Sequence, residues 1–569
     1  MASLKIKPRR KAHQLDGGSG GNGILRLPVE ILRHIVFFLP VGDAVSLSAS
    51  SKTWRNVWTS LPVLNLNFDH DDDVVTLDDF VASIDNVLST LRSRSAIIEG
   101  FSLTMNPYKE EGSKLESKLE SHLDDWLSLV MKNYIKEINL RVSDSSDNVF
   151  YTLPQSVFTL KSLVKLQLIG CKFPPNISFA DHDNDKKSRF HEFNCLREIT
   201  LEDVIARDDQ IQDIVDHARD FLEKLTIKTH PPLKFLSLEF FSKLDFIEVN
   251  VKTLLLNHAM NLDTVILYGI RRVYAFGVWN IKTLRFLTWD TSAYTSIKTF
   301  ISSLPLVETI QLFMDHNENI QIQSSHLQTL FLYEGQRFEE PIVVEIEAPK
   351  LSKVHFTGFS FPMITLLRRT QKVELHHFGH PLGGIDSSQL YRLGKFSRNV
   401  MQPMIEVHLH RIFIENPLSL QELKEHAVGY HPTNVTMVVL ECIPPTSDYS
   451  YFLDALFWTC HPTRLMILMN KEETIKSPHK AGFIRYLVDE LVKRETNPTC
   501  CVERNRPKCW RHYIADVKLE LYRSSREFDE EELTDIPVEM AENGTFSIVE
   551  TTNKGIVVQF RLLWLGFPV

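Results

Sequence analysis

The chain has 569 residues, of which 43% are hydrophobic and 24% charged, and it carries a formal charge of −9 at neutral pH. That length and apolar content support two to four domains or one elongated repeat array and exclude wholesale disorder. The negative balance gives no general attraction for nucleic acid or an anionic membrane. No run of about 18 uninterrupted apolar residues exists, so no spanning helix is expected. Seven cysteines in so long a chain make no disulfide framework and fit a reducing, intracellular setting.

Residues 1–23 are basic, with no apolar stretch behind the charges, and do not read as a secretory signal. The run Lys5–Lys11 has the composition of a nuclear address, so the expected location is the cytoplasm, the nucleus or both. Gly17–Gly23 reads as a flexible linker. Its Gly18, Gly20 and Gly23 meet the spacing G-x-G-x-x-G, but no strand precedes them, so nucleotide binding is not expected.

The stretch "ILRLPVEILRHIVFFLPVGDAVSLSASSKTWRNVW", Ile24 to Trp58, is helical in pattern. Pro28 suits a first helical position. Ile31, Ile35 and Phe38 form one apolar stripe, and Leu32, Val36 and Leu39 a second beside it. Leu39-Pro40 stops this helix, Gly42-Asp43 turns the chain into a second, and a third begins near Ser51 and carries Trp54, Val57 and Trp58. About forty residues cannot bury two stripes and two tryptophans against themselves, so one stripe requires a partner surface.

Leu27-Pro28, Glu30-Ile31-Leu32, Leu39-Pro40, Asp43-Ala44-Val45, Ser51-Lys52, Trp54-Arg55 and Trp58, in that order and spacing, resemble the F-box of plant F-box/leucine-rich-repeat proteins. The resemblance covers Leu27 to about Leu66. It implies docking on a Skp-type adaptor that leads to a cullin–RING ubiquitin ligase, with Leu27, Pro28, Ile31, Leu32, Ile35, Leu39, Pro40, Val45, Trp54 and Trp58 as the adaptor-binding set. Ala49 and Ser50 stand where relatives tend to carry larger apolar residues. That departure keeps open an alternative, a non-catalytic repeat scaffold that no ligase engages.

Downstream, L-x-x-L-x-L, with Ile, Val or Phe allowed, recurs from Ile135, Leu163, Leu196, Leu222, Val251, Leu262, Ile281, Val307, Leu327 and Leu351, with weaker copies from Met404 and Val435. Such copies stack into a leucine-rich-repeat solenoid, because none buries its apolar side alone. Between Leu222 and Leu262, copies starting at Leu233 and Leu244 fit equally well, and the register stays open. The expected architecture is α/β: a tail (1–23), a three-helix F-box (24–66), a helical connector (67–130) that includes "LDDFVASIDNVLSTLRS", a curved, mainly parallel solenoid (131–445) and an α+β C-terminal cap (446–569).

No H-E-x-x-H, G-x-S-x-G, Walker or kinase signature appears, so the chain is not expected to be an enzyme or to need a cofactor. Cys500, Cys501, Cys509 and His512 have zinc-ligand residue types, but adjacent cysteines rarely share one ion. His376, His377 and His380 lack a correctly spaced further ligand and read as solvated loop histidines. The acidic run Asp69–Asp73 lacks the glycine and glutamate of a calcium loop. No metal is expected.

Strand alternation locates a recognition face. In each copy the last two apolar positions point to the core, and the residues flanking them point outward. Glu198, Thr200 and Glu202, then Lys224, Thr226 and Lys228, make this row polar early in the array. Ile266 and Tyr268, Leu287 and Trp289, Phe313, and Phe331 and Tyr333 make it apolar in the middle, and Lys353, His355 and Thr357 return it to polar. Tyr268, Leu287, Trp289, Phe313, Phe331 and Tyr333 are therefore the expected target-binding set. The expected function is substrate recognition for an SCF-type ligase, with an unidentified protein as target.

Overall fold

The computed structural model describes residues 24–68, 77–142, 151–177, 193–410, 432–492, 509–524, 533–535 and 556–565, with short gaps inside several of these ranges. The chain forms two compact units, Met1–Pro231 and Pro232–Val569. Among the described residues no helix is long and apolar enough to cross a membrane.

The first unit opens with helices α1 (Val29–Phe37) and α2 (Lys52–Thr59), which pack on each other. The Pro28 carbonyl accepts the amides of Ile31 and Leu32 at 3.0 and 3.1 Å. Pro28 thus stands just before α1, where its missing N–H removes no helical bond. Ser51 caps α2 by accepting the Trp54 amide on its hydroxyl at 3.2 Å, which satisfies one of the orphan donors of the first turn. Leu47 and Ser50, between the two, are helical; most of the expected middle helix lies outside the described residues.

Six strands of one sheet follow in chain order: β1 (Val63–Phe68), β2 (Gly100–Met105), β3 (Glu137–Arg141), β4 (Lys165–Ile169), β5 (Glu198–Glu202) and β6 (Lys224–Lys228), and a separate short parallel pair joins Tyr151–Thr152 to Cys171–Lys172. Each strand of the six pairs in parallel with the next. Helices α3 (Leu77–Ser93), α4 (Lys114–Met131) and α5 (Asp208–His217) connect successive strands. The register explains the repeat: Ile138, Leu166, Ile199 and Leu225 align across four strands, and Leu140, Leu168, Leu201 and Ile227 align two residues on. All eight are buried, so each copy covers the apolar edge of its neighbour. On the other face Lys165 and Lys224 both pair with Glu198, at 2.8 and 3.7 Å. The ladder begins earlier than expected. The segment read as a helical connector holds the expected helix Leu77–Ser93 but also β2, and β1 precedes it.

In the second unit the 12-residue strand β8 (Phe246–Asn257) serves two parallel sheets. Its first half pairs with β9 (Thr264–Tyr268). Its second half lies between β7 (Leu233–Glu239) and β10 (Arg272–Phe276). This answers the register left open by sequence: the Leu244 copy joins the main sheet, and the Leu233 and Val251 copies join the second. The main sheet continues in parallel through β11 (Thr283–Phe286), β12 (Thr309–Met314), β13 (Thr329–Glu334), β14 (Lys353–Gly358), β15 (Lys372–Phe378), β16 (Met404–His410), β17 (Thr433–Leu440) and β18 (Cys460–Met469). A further small parallel sheet, Ile320–Gln323, Val343–Glu347 and Met363–Leu366, repeats the second-sheet arrangement.

Parallel pairing thus runs past residue 445, where the array was expected to end. It stops where β18 meets β20 (Ile556–Trp564) antiparallel, and β20 meets β19 (Ile514–Ser524) antiparallel. Among the described residues the unit also holds helices α6 (Tyr294–Ser303), α7 (Ser387–Val400), α8 (Tyr449–Thr459) and α9 (Pro478–Leu487).

Candidate functional site

Two surfaces carry the residues singled out by sequence, one in each unit. In the first, the two stripes of α1 separate cleanly. Leu32 is fully buried and Val36 nearly so, together with Trp54 and Val57 of α2. Ile31 keeps 47% of its surface exposed, Leu27 and Val29 are exposed as well, and Ile35 is half-buried. Leu32 and Trp54, expected at the adaptor contact, instead form the internal core, because their side of each helix faces the other helix. Leu27, Pro28 and Ile31 line an open ledge. Leu39, Pro40 and Val45 and the side chain of Trp58 lie outside the described residues.

In the second unit part of the expected outward row forms as alternation dictates. Phe313 and Tyr333 are register partners on β12 and β13, and their rings stack with centroids 4.7 Å apart and 8° between planes. Phe331 partners His355 of β14, with ring centroids 5.5 Å apart, and the Tyr333 ring lies 6.0 Å from His355. Phe313, Phe331 and Tyr333 are half-buried, and burial raises the Tyr333 phenol above its ordinary pKa despite Arg285 nearby. Tyr268 and Leu287 are also half-buried. The Tyr268 hydroxyl donates to Glu248 at 2.8 Å, so one rim of the aromatic group is polar. Ile266 is buried, and Trp289 lies outside the described residues.

The row continues into histidines that sequence reading did not group. His376 and His377 belong to β15, not to a loop, so alternation sends them to opposite faces. His377 is buried and stacks on Phe361 at 4.9 Å. His376 faces outward beside its register partner His408 of β16, with ring centroids 4.1 Å apart. His410, two residues on, faces the same way, and its Nε2 lies 3.1 Å from His376 Nδ1. On the far side of His410, its Nδ1 meets the carboxylate of Glu441. Burial, reinforced by the neighbouring imidazoles, pushes the His376 pKa down to about 2; burial and His410 push His408 down to about 4. Burial opposes ionisation of Glu374, but hydrogen bonds from His355, Lys372 and Lys353 outweigh it and hold the carboxyl well below its usual range. His380 lies outside the described residues. Half of the signal was available, since H-x-H at 408–410 places two imidazoles on one strand face; the register that brings His376 beside them was not.

Comparison with known proteins finds likenesses to two parts of the chain. The F-box domain model matches residues 24–66, and the model of the repeats of FBD-associated F-box protein At5g56370 matches residues 123–277. The chain thus carries an F-box and leucine-rich repeats similar to those of plant F-box/leucine-rich-repeat proteins. Three Arabidopsis thaliana relatives illustrate the similarity. The FBD-associated F-box protein At5g60610 is 31% identical over 144 residues, 25% of this chain and 32% of its own length. An F-box protein, At3g44060, is 30% identical over 207 residues, 35% of this chain and 43% of its own. An F-box/LRR-repeat protein, At4g00320, is 30% identical over 161 residues, 26% and 29%. The matched stretches thus span less than half of each relative.

Within this F-box/leucine-rich-repeat chain, the F-box match contains the whole open ledge of α1, and the repeat match ends just after β10. The aromatic row from Phe313 onward and the histidine cluster both lie beyond it.

Proposed function

We propose that this F-box/leucine-rich-repeat chain is the substrate-recognition subunit of an SCF-type ubiquitin ligase, acting without an active site of its own. Residues 24–66 form a three-helix F-box that docks on a Skp-type adaptor through Leu27, Pro28, Ile31 and Ile35, with Leu39, Pro40, Val45 and Trp58 completing the contact. The repeats present Tyr268, Leu287, Trp289, Phe313, Phe331 and Tyr333 to a protein target, and the α+β region at the C-terminal side caps the array. The work takes place in the cytoplasm, the nucleus or both. The mechanism is positional: holding a target beside the ligase raises its effective concentration at the site of ubiquitin transfer.

The observation that carries this reading is the division of α1 into a buried face, Leu32 and Val36, and an open apolar face, Leu27, Val29 and Ile31. A helix that has already built a core from one stripe keeps the second only at a solvation cost, unless a partner covers it. Affinity capture of the intact chain from cells with the proteasome inhibited tests it. Adaptor and cullin recovered together, and lost on deleting residues 24–62, support the reading. A chain that recovers neither is a scaffold outside any ligase.

A further inference from the structure

We propose that His376, His408 and His410 form a binding site for a divalent transition-metal ion of the zinc class, independently of the ligase reading. Three imidazoles from two adjacent parallel strands each offer a ring nitrogen, and these nitrogens lie within 4.8 Å of one another. Residues two apart on a strand share a face, and a register partner sits about 4.8 Å away across the ladder. His408, His410 and His376 therefore converge as a direct consequence of the pairing His376↔His408 and Phe378↔His410. In a tetrahedral site with zinc–nitrogen bonds of about 2.0–2.1 Å, neighbouring donor nitrogens are separated by roughly 3.3 Å. The 3.1 Å between His376 Nδ1 and His410 Nε2 matches that separation, and His408, stacked on His376 with 11° between planes, reaches the third corner by rotating out of the stack.

The surroundings suit the chemistry. The Glu441 carboxylate on His410 Nδ1 fixes the tautomer that leaves a lone pair on Nε2, the orientation a carboxylate gives a metal-ligating histidine. The other nearby carboxylates are occupied: Glu374 takes Lys353 and Lys372 at 2.9 Å each and His355 at 3.0 Å, and Glu406 takes Lys372 at 2.8 Å. The donor set offered to an ion is thus imidazole, which favours zinc, copper or nickel over calcium or magnesium. All three histidines are half-buried, so an ion has access from the surface. The site adjoins the aromatic row through His355, whose ring is 4.5 Å from His376 and 6.0 Å from Tyr333. A bound ion would place an exchangeable fourth position beside the target-binding residues.

Zinc titration of the purified full-length chain against a chromogenic chelator tests the site. One equivalent bound with Kd at or below the micromolar range is expected, weakened at least 100-fold in the double variant His408→Ala, His410→Ala and about tenfold in Glu441→Gln, and unchanged in Cys509→Ser. Cobalt substitution of the wild-type chain gives a readout that no misfolded variant disturbs: visible ligand-field bands without thiolate charge transfer. Absence of stoichiometric zinc, binding that survives loss of both strand histidines, or a cobalt spectrum made of thiolate bands alone would each overturn the proposal.

Discussion

Phe313 and Tyr333 lie opposite one another on neighbouring parallel strands, with their rings stacked nearly parallel at 4.7 Å. Their backbones are held by the main sheet, and the core beneath them is made by Ile310, Leu312, Leu330 and Leu332, all buried. A stacked aromatic pair is worth about 0.5–1.5 kcal/mol beyond its area, so Tyr333→Ala should lower stability by no more than about 1–2 kcal/mol. If the pair anchors a target, the same change should cut capture of that target at least tenfold. Thermal melting and affinity capture of the same variant separate the two effects. A large drop in melting temperature with capture unchanged would assign the pair to packing.

Adjacent residues of α1 should behave in opposite ways. Ile31 stands half in solvent while Leu32 is sealed. Ile31→Asp is expected to leave folding within about 0.5 kcal/mol and to abolish adaptor pull-down, because a charge forced into an apolar contact has no partner. Leu32→Ala is expected to cost about 2–5 kcal/mol by opening a cavity. Adaptor recovery undiminished by Ile31→Asp would remove this ledge from the proposed contact.

Much of this fold was readable because its two periods are strong. The strands at Leu163, Leu196 and Leu222 and the helix Leu77–Ser93 fall where alternation and the 3.6-residue stripe place them. The strands β1 and β2 satisfy the same pattern, as Leu61-x-x-Leu64-x-Leu66 and Ile98-x-x-Phe101-x-Leu103, but the first is hidden by its overlap with the F-box. The double use of β8 was not readable, since Leu233, Leu244 and Val251 are each locally good strand starts and only packing assigns them to different sheets. The outward placing of Phe313, Phe331 and Tyr333 followed from alternation alone, whereas Ile266, expected beside them, is buried. The histidine cluster did not follow from it, because it needs the register of β15 against β16, and 25 residues lie between Phe378 and Met404.

Glu334 ties β13 to the turn after β14. Its carboxylate accepts the amides of Phe359 and Ser360 at 2.7 and 2.9 Å and the Ser360 hydroxyl at 3.2 Å. Glu334→Ala removes the acceptor from buried donors and should cost about 2–4 kcal/mol. Glu334→Gln keeps one acceptor oxygen and should cost about half as much. Gly358 explains why the approach is so close: a Cβ there would lie 2.7 Å from the Glu334 Cβ and from the Phe356 ring. Gly358→Ala should therefore also destabilise, by about 1–3 kcal/mol through overpacking. Melting temperatures of the three variants test the ranking, and a Gly358→Ala chain as stable as wild type would contradict the crowding.

Acid should loosen the end of the second unit before it affects the early repeats. His461 of β18 is buried and stacks on Trp564 of β20 at 3.8 Å and 7°, and burial pushes its pKa down from 6.5 to about 4, with the Phe457 backbone opposing. The folded chain keeps this ring neutral where the unfolded chain protonates it. Its contribution is therefore whole above pH 6.5 and is lost as pH falls from 6.5 towards 4. One such histidine removes about 1–2 kcal/mol at pH 5.5, and His376 and His408 act in the same direction. His461→Phe keeps a ring against Trp564 but cannot titrate. The drop in melting temperature between pH 7.5 and 5.5 should shrink in this variant without vanishing. An equal drop in both chains would mean that His461 is not a source of the acid sensitivity.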